Sequence, residues 1–177
     1  LSHIKFSNDC VAILSELFGS QNKTLTCVNF THNSLTKQAV ESISRGLVQN
    51  QSIISVNLNH NNIDSQGFSD IGNIWLQNHT LTHVSLLGIT NNNNNSLLVD
   101  KLNQVISSNE TLTNLNFEQT TKIDLKGWNE IMKVFELNVN LNVIEMQQRV
   151  LQMDVVRQCL YEWKIPSSVI SLYLSED

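Results

Sequence analysis

The apolar pattern Leu25-x-x-Val28-x-Phe30 returns 28 residues later as Ile53-x-x-Val56-x-Leu58 and keeps returning along the chain. Units that satisfy all three apolar positions begin at Leu1, Leu25, Ile53, Leu81, Leu112, Leu141 and Val169, with start-to-start spacings of 24, 28, 28, 31, 29 and 28 residues. A period of this length marks a chain built by stacking one supersecondary unit, because a single unit cannot bury its own apolar face. With 41% apolar residues, the chain can fill a continuous core between the units.

Within a unit, apolar positions four and six flank a polar position five, the period-two signature of a half-buried strand. Behind each strand the period becomes helical. The apolar sets are Val11/Leu14/Phe18, Val40/Ile43/Leu47, Phe68/Ile71/Trp75, Val99/Leu102/Ile106, Trp128/Ile131/Phe135 and Val156/Cys159/Trp163. Each is spaced i, i+3, i+7 and so lies on one helix face. Thr36 and Asp64 stand where an N-cap is needed. The helices are expected to stop near Asn50, Asn78, Asn109 and Asn138, since asparagine tolerates the left-handed conformation that closes a helix.

The stretches Leu25-x-x-Val28-x-Phe30-x-x-Asn33-x-Leu35 and Ile53-x-x-Val56-x-Leu58-x-x-Asn61-x-Ile63 resemble leucine-rich repeats of the ribonuclease-inhibitor type. The Asn-x-Ser/Thr-apolar closures at Asn22, Asn50, Asn78 and Asn109 resemble that type as well. The resemblance covers essentially the whole chain. It implies an α/β leucine-rich-repeat solenoid: a short curved arc with a parallel β-sheet on the concave side and helices on the convex side. Residues 1–177 then form a single domain with seven strands. The family's turn asparagine is matched at Asn33 and Asn61, and Asp9 substitutes in the first unit. Ile89, Thr120 and Arg149 break the match, so looser turns are expected after Leu81, with Asn91 to Asn95 forming a mobile loop. Both ends of the stack look open. Exposed core surface is costly, which points to a piece of a longer protein or to ends covered by another chain, end-to-end self-association included.

Formal net charge is −5 and no Lys/Arg run occurs, which argues against nucleic-acid and anionic-membrane partners. No apolar run is long enough to span a membrane. Three scattered cysteines (Cys10, Cys27 and Cys159) make no disulfide framework and read as reduced thiols in a cytoplasmic setting. Cys10 and Cys159 are expected to pack, and Cys27 to face the inside of the arc. The six glycines are dispersed, with no phosphate-binding loop and no implied cofactor. Trp75, Trp128 and Trp163 fall on core positions of the helices.

Polar strand positions should line the inside of the arc. Position three reads His3, Cys27, Ser55, His83, Asn114, Val143, Ser171, and position five reads Lys5, Asn29, Asn57, Ser85, Asn116, Glu145, Tyr173. Position eight adds His32 and His60, expected about 5 Å apart on adjacent strands. Two imidazoles without a third ligand do not make a metal site. No nucleophile and base are brought together, so no catalytic residue is assigned and the chain is read as a non-enzyme.

The candidate partner-binding residues are Lys5, Asn29, His32, Asn57, His60, His83, Ser85, Asn114, Asn116, Glu145 and Tyr173. The resemblance implies a scaffold that holds a protein partner on the concave face or its rim. Intracellular receptors, actin-regulating proteins, GTPase-activating proteins and effectors delivered into a host cytosol use such arrays. The alternatives are a regulator of a small GTPase or another signalling protein, and an extracellular module. Asn22, Asn29, Asn50, Asn78, Asn94 and Asn109 all begin Asn-x-Ser/Thr triplets, so glycans on Asn50 or Asn78 would favour the extracellular reading.

Overall fold

The structure, a computed structural model, describes residues 1–6, 8–19, 22–89, 95–119, 126, 129–130, 133–134, 143–148 and 171–175. The elements are α1 (Asn8–Phe18), β1 (Cys27–Asn29), α2 (Lys37–Gln49), β2 (Ser55–Asn57), α3 (Ser65–Gln77), β3 (His83–Ile89), α4 (Asn95–Ser108), β4 (Asn114–Gln119), β5 (Val143–Gln148) and β6 (Ser171–Ser175). From α1 to β4 helices and strands alternate, and two further strands follow. The six strands form one parallel sheet in sequence order. A parallel neighbour requires a crossover connection, and each of the four described helices falls between or before such strands.

The apolar triplets explain the core. Val28, Phe30, Ile53, Val56, Leu58, Leu81, Val84, Leu86, Leu112 and Leu115 are buried on one side of the sheet. The helix sets meet them there: Val11, Phe18, Val40, Ile43, Leu47, Phe68, Ile71, Trp75, Val99, Leu102 and Ile106 are buried in the same cluster. Phe30 is gripped edge-on by Phe6 and Phe18, with ring centroids 6.0 and 5.7 Å away. Trp75 is a core residue, set edge-on to Phe68 at 5.8 Å. Trp128, Cys159, Trp163, Asn138 and the helix expected around Cys159 and Trp163 lie outside the described residues, as do Asn91 to Asn94. Of the helix expected around Trp128, residues 126, 129–130 and 133–134 are described, all helical, and Val134 packs against the core.

Thr36 and Asp64 cap their helices as expected, accepting from Ala39 N at 3.4 Å and Gly67 N at 2.8 Å. The C-terminal asparagines behave differently. Asn50 (φ −79°, ψ 138°) and Asn78 (φ −90°, ψ 131°) are extended, not left-handed. Their side chains take another role. Asn78 Nδ2 donates back to Leu47 O at 2.8 Å and Asn50 O at 3.0 Å, while its Oδ1 accepts from Thr80 N and Leu81 N, both at 2.8 Å. Asn50 does the same with Phe18 O, Ser52 N and Ile53 N, and Asn109 with Trp75 O, Thr111 N and Leu112 N. The Ser or Thr two residues on joins in: Ser52, Thr80 and Thr111 donate to Leu25 O, Ile53 O and Leu81 O. The recurring Asn-x-Ser/Thr is therefore a clamp between neighbouring units. It satisfies backbone groups that would otherwise be buried without partners.

Residues 1–6 are not the seventh strand. His3 (φ 61°) and Lys5 (φ 51°) are left-handed, which no strand allows. The segment is instead a turn in register with the turn after β1. His3 N donates to Thr31 O at 3.1 Å, as His32 N donates to Asn59 O at 3.1 Å. Asn33 Nδ2 bonds Leu1 O, as Asn61 Nδ2 bonds Phe30 O. Leu1 thus corresponds to Phe30, 29 residues on. The turn asparagine of this unit is replaced by Ile4, and Asp9 falls inside α1. Cys10 is exposed, not packed.

The loss of the turn asparagine after Leu81 also has a visible effect. Where Asn33 and Asn61 turn the chain, the fourth unit, which begins at Leu81, carries Ile89, and β3 simply runs on to it. The strands lengthen from three residues in β1 and β2 to seven in β3 and six in β4, with a register shift between Leu86 and Ile89. Thr120 and Arg149 lie outside the described residues.

Candidate functional site

Parallel pairing brings the polar strand positions into two straight rows on the sheet face opposite the core. Row three is Cys27, Ser55, His83, Asn114, Val143 and Ser171, and row five is Asn29, Asn57, Ser85, Asn116, Glu145 and Tyr173. Both rows follow the sequence register without a slip. Asn29 and His83 are exposed, and Asn57, Ser85, Asn114 and Asn116 half-buried, so over these residues the face is not covered by the described helices. Glu145 and Tyr173 are placed by backbone register. Ser55, Asn57, His83, Ser85, Asn114 and Asn116 surround a shallow depression of about 230 Å³.

The amides are held in fixed orientations. Asn29 Oδ1 accepts from Thr31 N at 2.9 Å and from Thr31 Oγ1 at 2.6 Å. Asn57 Oδ1 accepts from Asn59 N at 2.9 Å and from Thr31 Oγ1 at 3.0 Å. Among the described residues no acceptor engages Nδ2 of Asn29 or Asn57, so each offers an oriented donor pair to solvent. Ser85 Oγ bonds Asn59 Oδ1 at 2.8 Å, and His83 Nδ1 lies 2.7 Å from Thr82 Oγ1. The face is preorganised for hydrogen bonding and carries little charge. Cys27 is an exposed thiol at one end of row three, with Ser55 as its strand neighbour and His3 off the sheet.

His32 and His60 leave the sheet in the turns after β1 and β2, both left-handed (φ 57° and 53°) and exposed. Their rings stack at 4.4 Å with an interplanar angle of 14°. His3 stacks on the other side of His32 at 4.6 Å and 24°, making a column of three imidazoles, one per unit. Sequence reasoning placed His32 and His60 one repeat apart but put His3 and Lys5 in the strand rows. Both instead belong to this turn edge. The signal that finds His3 is the triplet Leu1-Ser2-His3, matching Phe30-Thr31-His32 and Leu58-Asn59-His60.

The imidazole stack does not suit a metal. Ring nitrogens present their lone pairs in the ring plane, and nearly parallel planes do not converge on one ion. Among the described residues no group of three or more His, Cys, Asp or Glu is arranged to hold one. The His32 pKa is lowered, first by removal of water from a ring sandwiched between two others, then by the charges of His60 and His3.

No protein-family model matches the sequence, and no curated protein matches it. Solved structures do match. One is leiomodin-1 actin-binding site 2, with TM-score 0.70 and 19% identity over 83% of this chain and 83% of that one. Another is the tropomodulin C-terminal domain from Caenorhabditis elegans, with TM-score 0.67 and 13% identity over 85% of this chain and 89% of that one. These neighbours are leucine-rich-repeat-like but not of the ribonuclease-inhibitor type, so the subtype expected from the motif is corrected. The residues behind that expectation, apolar triplets and clamp asparagines, meet demands common to any stack of parallel strand–helix units. They report the general fold and do not distinguish subtypes. The chain is an α/β protein with a parallel sheet and a leucine-rich-repeat-like fold of the kind seen in leiomodin and tropomodulin domains.

Proposed function

We propose that this chain is a cytoplasmic, non-enzymatic protein-interaction domain that holds a protein partner on the open face of its sheet, through Asn29, Asn57, His83, Ser85, Asn114, Asn116, Glu145 and Tyr173. His32, His60 and Lys5 belong to the adjoining rim. The observation that carries the reading is the pair of in-register polar rows, left uncovered by the described helices from Asn29 to Asn116 and with oriented amide donors on Asn29 and Asn57. Backbone carbonyls of a partner are the acceptors such donors suit. We read all 177 residues as one domain, a short solenoid arc that continues the described stack.

Actin is the partner to test first, because the leiomodin-1 structure that this chain resembles is described as an actin-binding site. The extracellular alternative is disfavoured by the burial of Asn50, Asn78 and Asn109, whose amides are committed to the clamps. The test is co-sedimentation with filamentous actin and pull-down on monomeric actin. It compares the wild-type chain with Asn57→Arg/Asn116→Arg. Binding by the wild type and loss in the variant supports the reading. Equal capture of actin by both overturns the face, and no capture by either overturns actin as the partner.

A further inference from the structure

We propose that the column His3–His32–His60 is a docking strip for one acidic α-helix of a protein partner, with glutamates on successive turns facing successive imidazoles. The proposal rests on the reading of this molecule as a protein-binding domain and names an edge and a partner chemistry for it.

The backbone alone does not require this column. All three histidines are left-handed, and histidine is among the residues that tolerate that region. Asparagine or glycine would serve a turn at least as well, and the neighbouring left-handed positions carry Lys5 and Ser34. The structure instead stacks three exposed imidazoles at 4.6 and 4.4 Å. The charged side chains in the three turn segments are Lys5 and Asp64. The Asp64 carboxylate is committed to the cap of α3, where it accepts from Gly67 N. Among the described residues no carboxylate forms an ion pair with any of the three rings. The next position in register, Gly88, ends the column.

Spacing selects the occupant. The column runs across the strands, with a step close to the strand separation of about 4.8 Å. A helix presents residues i, i+4 and i+7 about 5–6 Å apart, a mismatch that the flexible glutamate side chain absorbs. An extended strand would present same-face side chains only every ~6.7 Å and fall out of step by the third ring. A carboxylate facing an imidazole favours its protonated form, so docking takes up protons.

The experiment uses a fluorescent alanine-rich helical peptide with glutamate at i, i+4 and i+7, titrated with the full chain at about pH 5.5 and about pH 7.5. The expected result is binding about tenfold tighter at the lower pH. Binding should be lost with a glutamine version of the peptide and with His3→Asn/His32→Asn/His60→Asn, a variant that keeps the left-handed turns. Circular dichroism confirms that the variant is folded. Equal binding at both pH values, equal binding of the glutamine peptide, or full binding by the asparagine variant would each overturn the proposal. None of these outcomes touches the open-face reading, which the actin assay with Asn57→Arg/Asn116→Arg decides by itself.

Discussion

The backbone N–H of Asn33 donates to the side-chain Oδ1 of Asn61, 28 residues away, at 3.0 Å. The same Oδ1 accepts from Leu35 N at 3.1 Å, while Nδ2 donates to Phe30 O at 3.0 Å and Leu58 O at 2.9 Å. One buried amide thus closes its own turn and holds the preceding one. Asn33 makes the equivalent bonds to Leu1 O and Ile4 N, and accepts from Lys5 N where the register would put Phe6 N, but on a segment that is largely exposed.

Asn61→Ala should therefore cost more than Asn33→Ala. Removing the Asn61 amide leaves several backbone groups buried without partners, a loss of about 3 kcal/mol. At Asn33 water can reach part of the gap, and about 1–2 kcal/mol is expected, with the effect concentrated on residues 1–6. Urea unfolding gives the totals, and hydrogen exchange of Ile4 and Lys5 amides locates the second effect. Equal costs at the two sites would contradict the part played by their bonding partners, since both amides are buried and only residues 1–5 are exposed.

Much of this arrangement was legible in the sequence, and the errors have physical causes. The rows through Asn57 and Asn116 follow from counting within each unit, because every unit restarts the same strand motif and a parallel stack pairs like positions even where one unit is three residues longer. Residues 1–6 misled because Leu1-x-x-Ile4-x-Phe6 also alternates apolar and polar residues, and alternation cannot tell a strand from a packed turn. The warning was the 24-residue first spacing, which becomes 29 once Leu1 is set against Phe30. The extended Asn50 and Asn78 were unreadable because asparagine's value there lies in bonds to another unit, not in its own dihedral preference. The imidazole column was half visible, since its third member is recognised only after that register is corrected.

Helix propensity and close packing make opposite predictions for Gly46. Alanine is favoured over glycine inside a helix by about 1 kcal/mol. A Cβ at Gly46, however, would collide with the backbone carbonyl oxygen of Ser15 on α1. Backbone cannot rotate away, so α1 and α2 must separate and the core between them loosens. Gly46→Ala is expected to destabilise by about 1–3 kcal/mol despite the better propensity. Gly72→Ala makes the control, because the atoms in its way belong to the flexible Lys101 side chain, at 2.5 Å, and can move. A thermal melt that ranks the Gly46 variant at or above wild type would refute the steric argument.

The Asn-x-Ser/Thr triplets give a test of the clamp. Asn78 is 2% exposed, and its Nδ2, the atom a glycan would occupy, donates to two carbonyls. Protein passed through a secretory host should carry no glycan at Asn50, Asn78 or Asn109 in its folded fraction, whereas the exposed Asn29 stays open to modification. Asn78→Asp keeps the acceptor but loses both donations and buries a charge, for an expected cost of about 2–4 kcal/mol. Peptide mapping of the folded fraction would detect the opposite outcome directly, as occupancy at Asn78.

The lowered pKa of His32 sets a direction for stability against pH. The unfolded chain holds a proton on this ring up to its ordinary value of 6.5, while the folded chain gives it up at lower pH. Between the folded and unfolded values the unfolded state binds more protons, so stability rises with pH there. The contribution of the neutral stacked ring is present above 6.5 and is lost as pH falls through that value towards the folded one. The urea midpoint should accordingly drop between about pH 7.5 and about pH 5.5, before the carboxylates titrate. His32→Asn, which keeps the left-handed turn but carries no titrating ring, should flatten that part of the curve. A wild-type midpoint that is constant or rising over this interval, or a slope that survives in His32→Asn, would show that the stacked ring does not carry the effect.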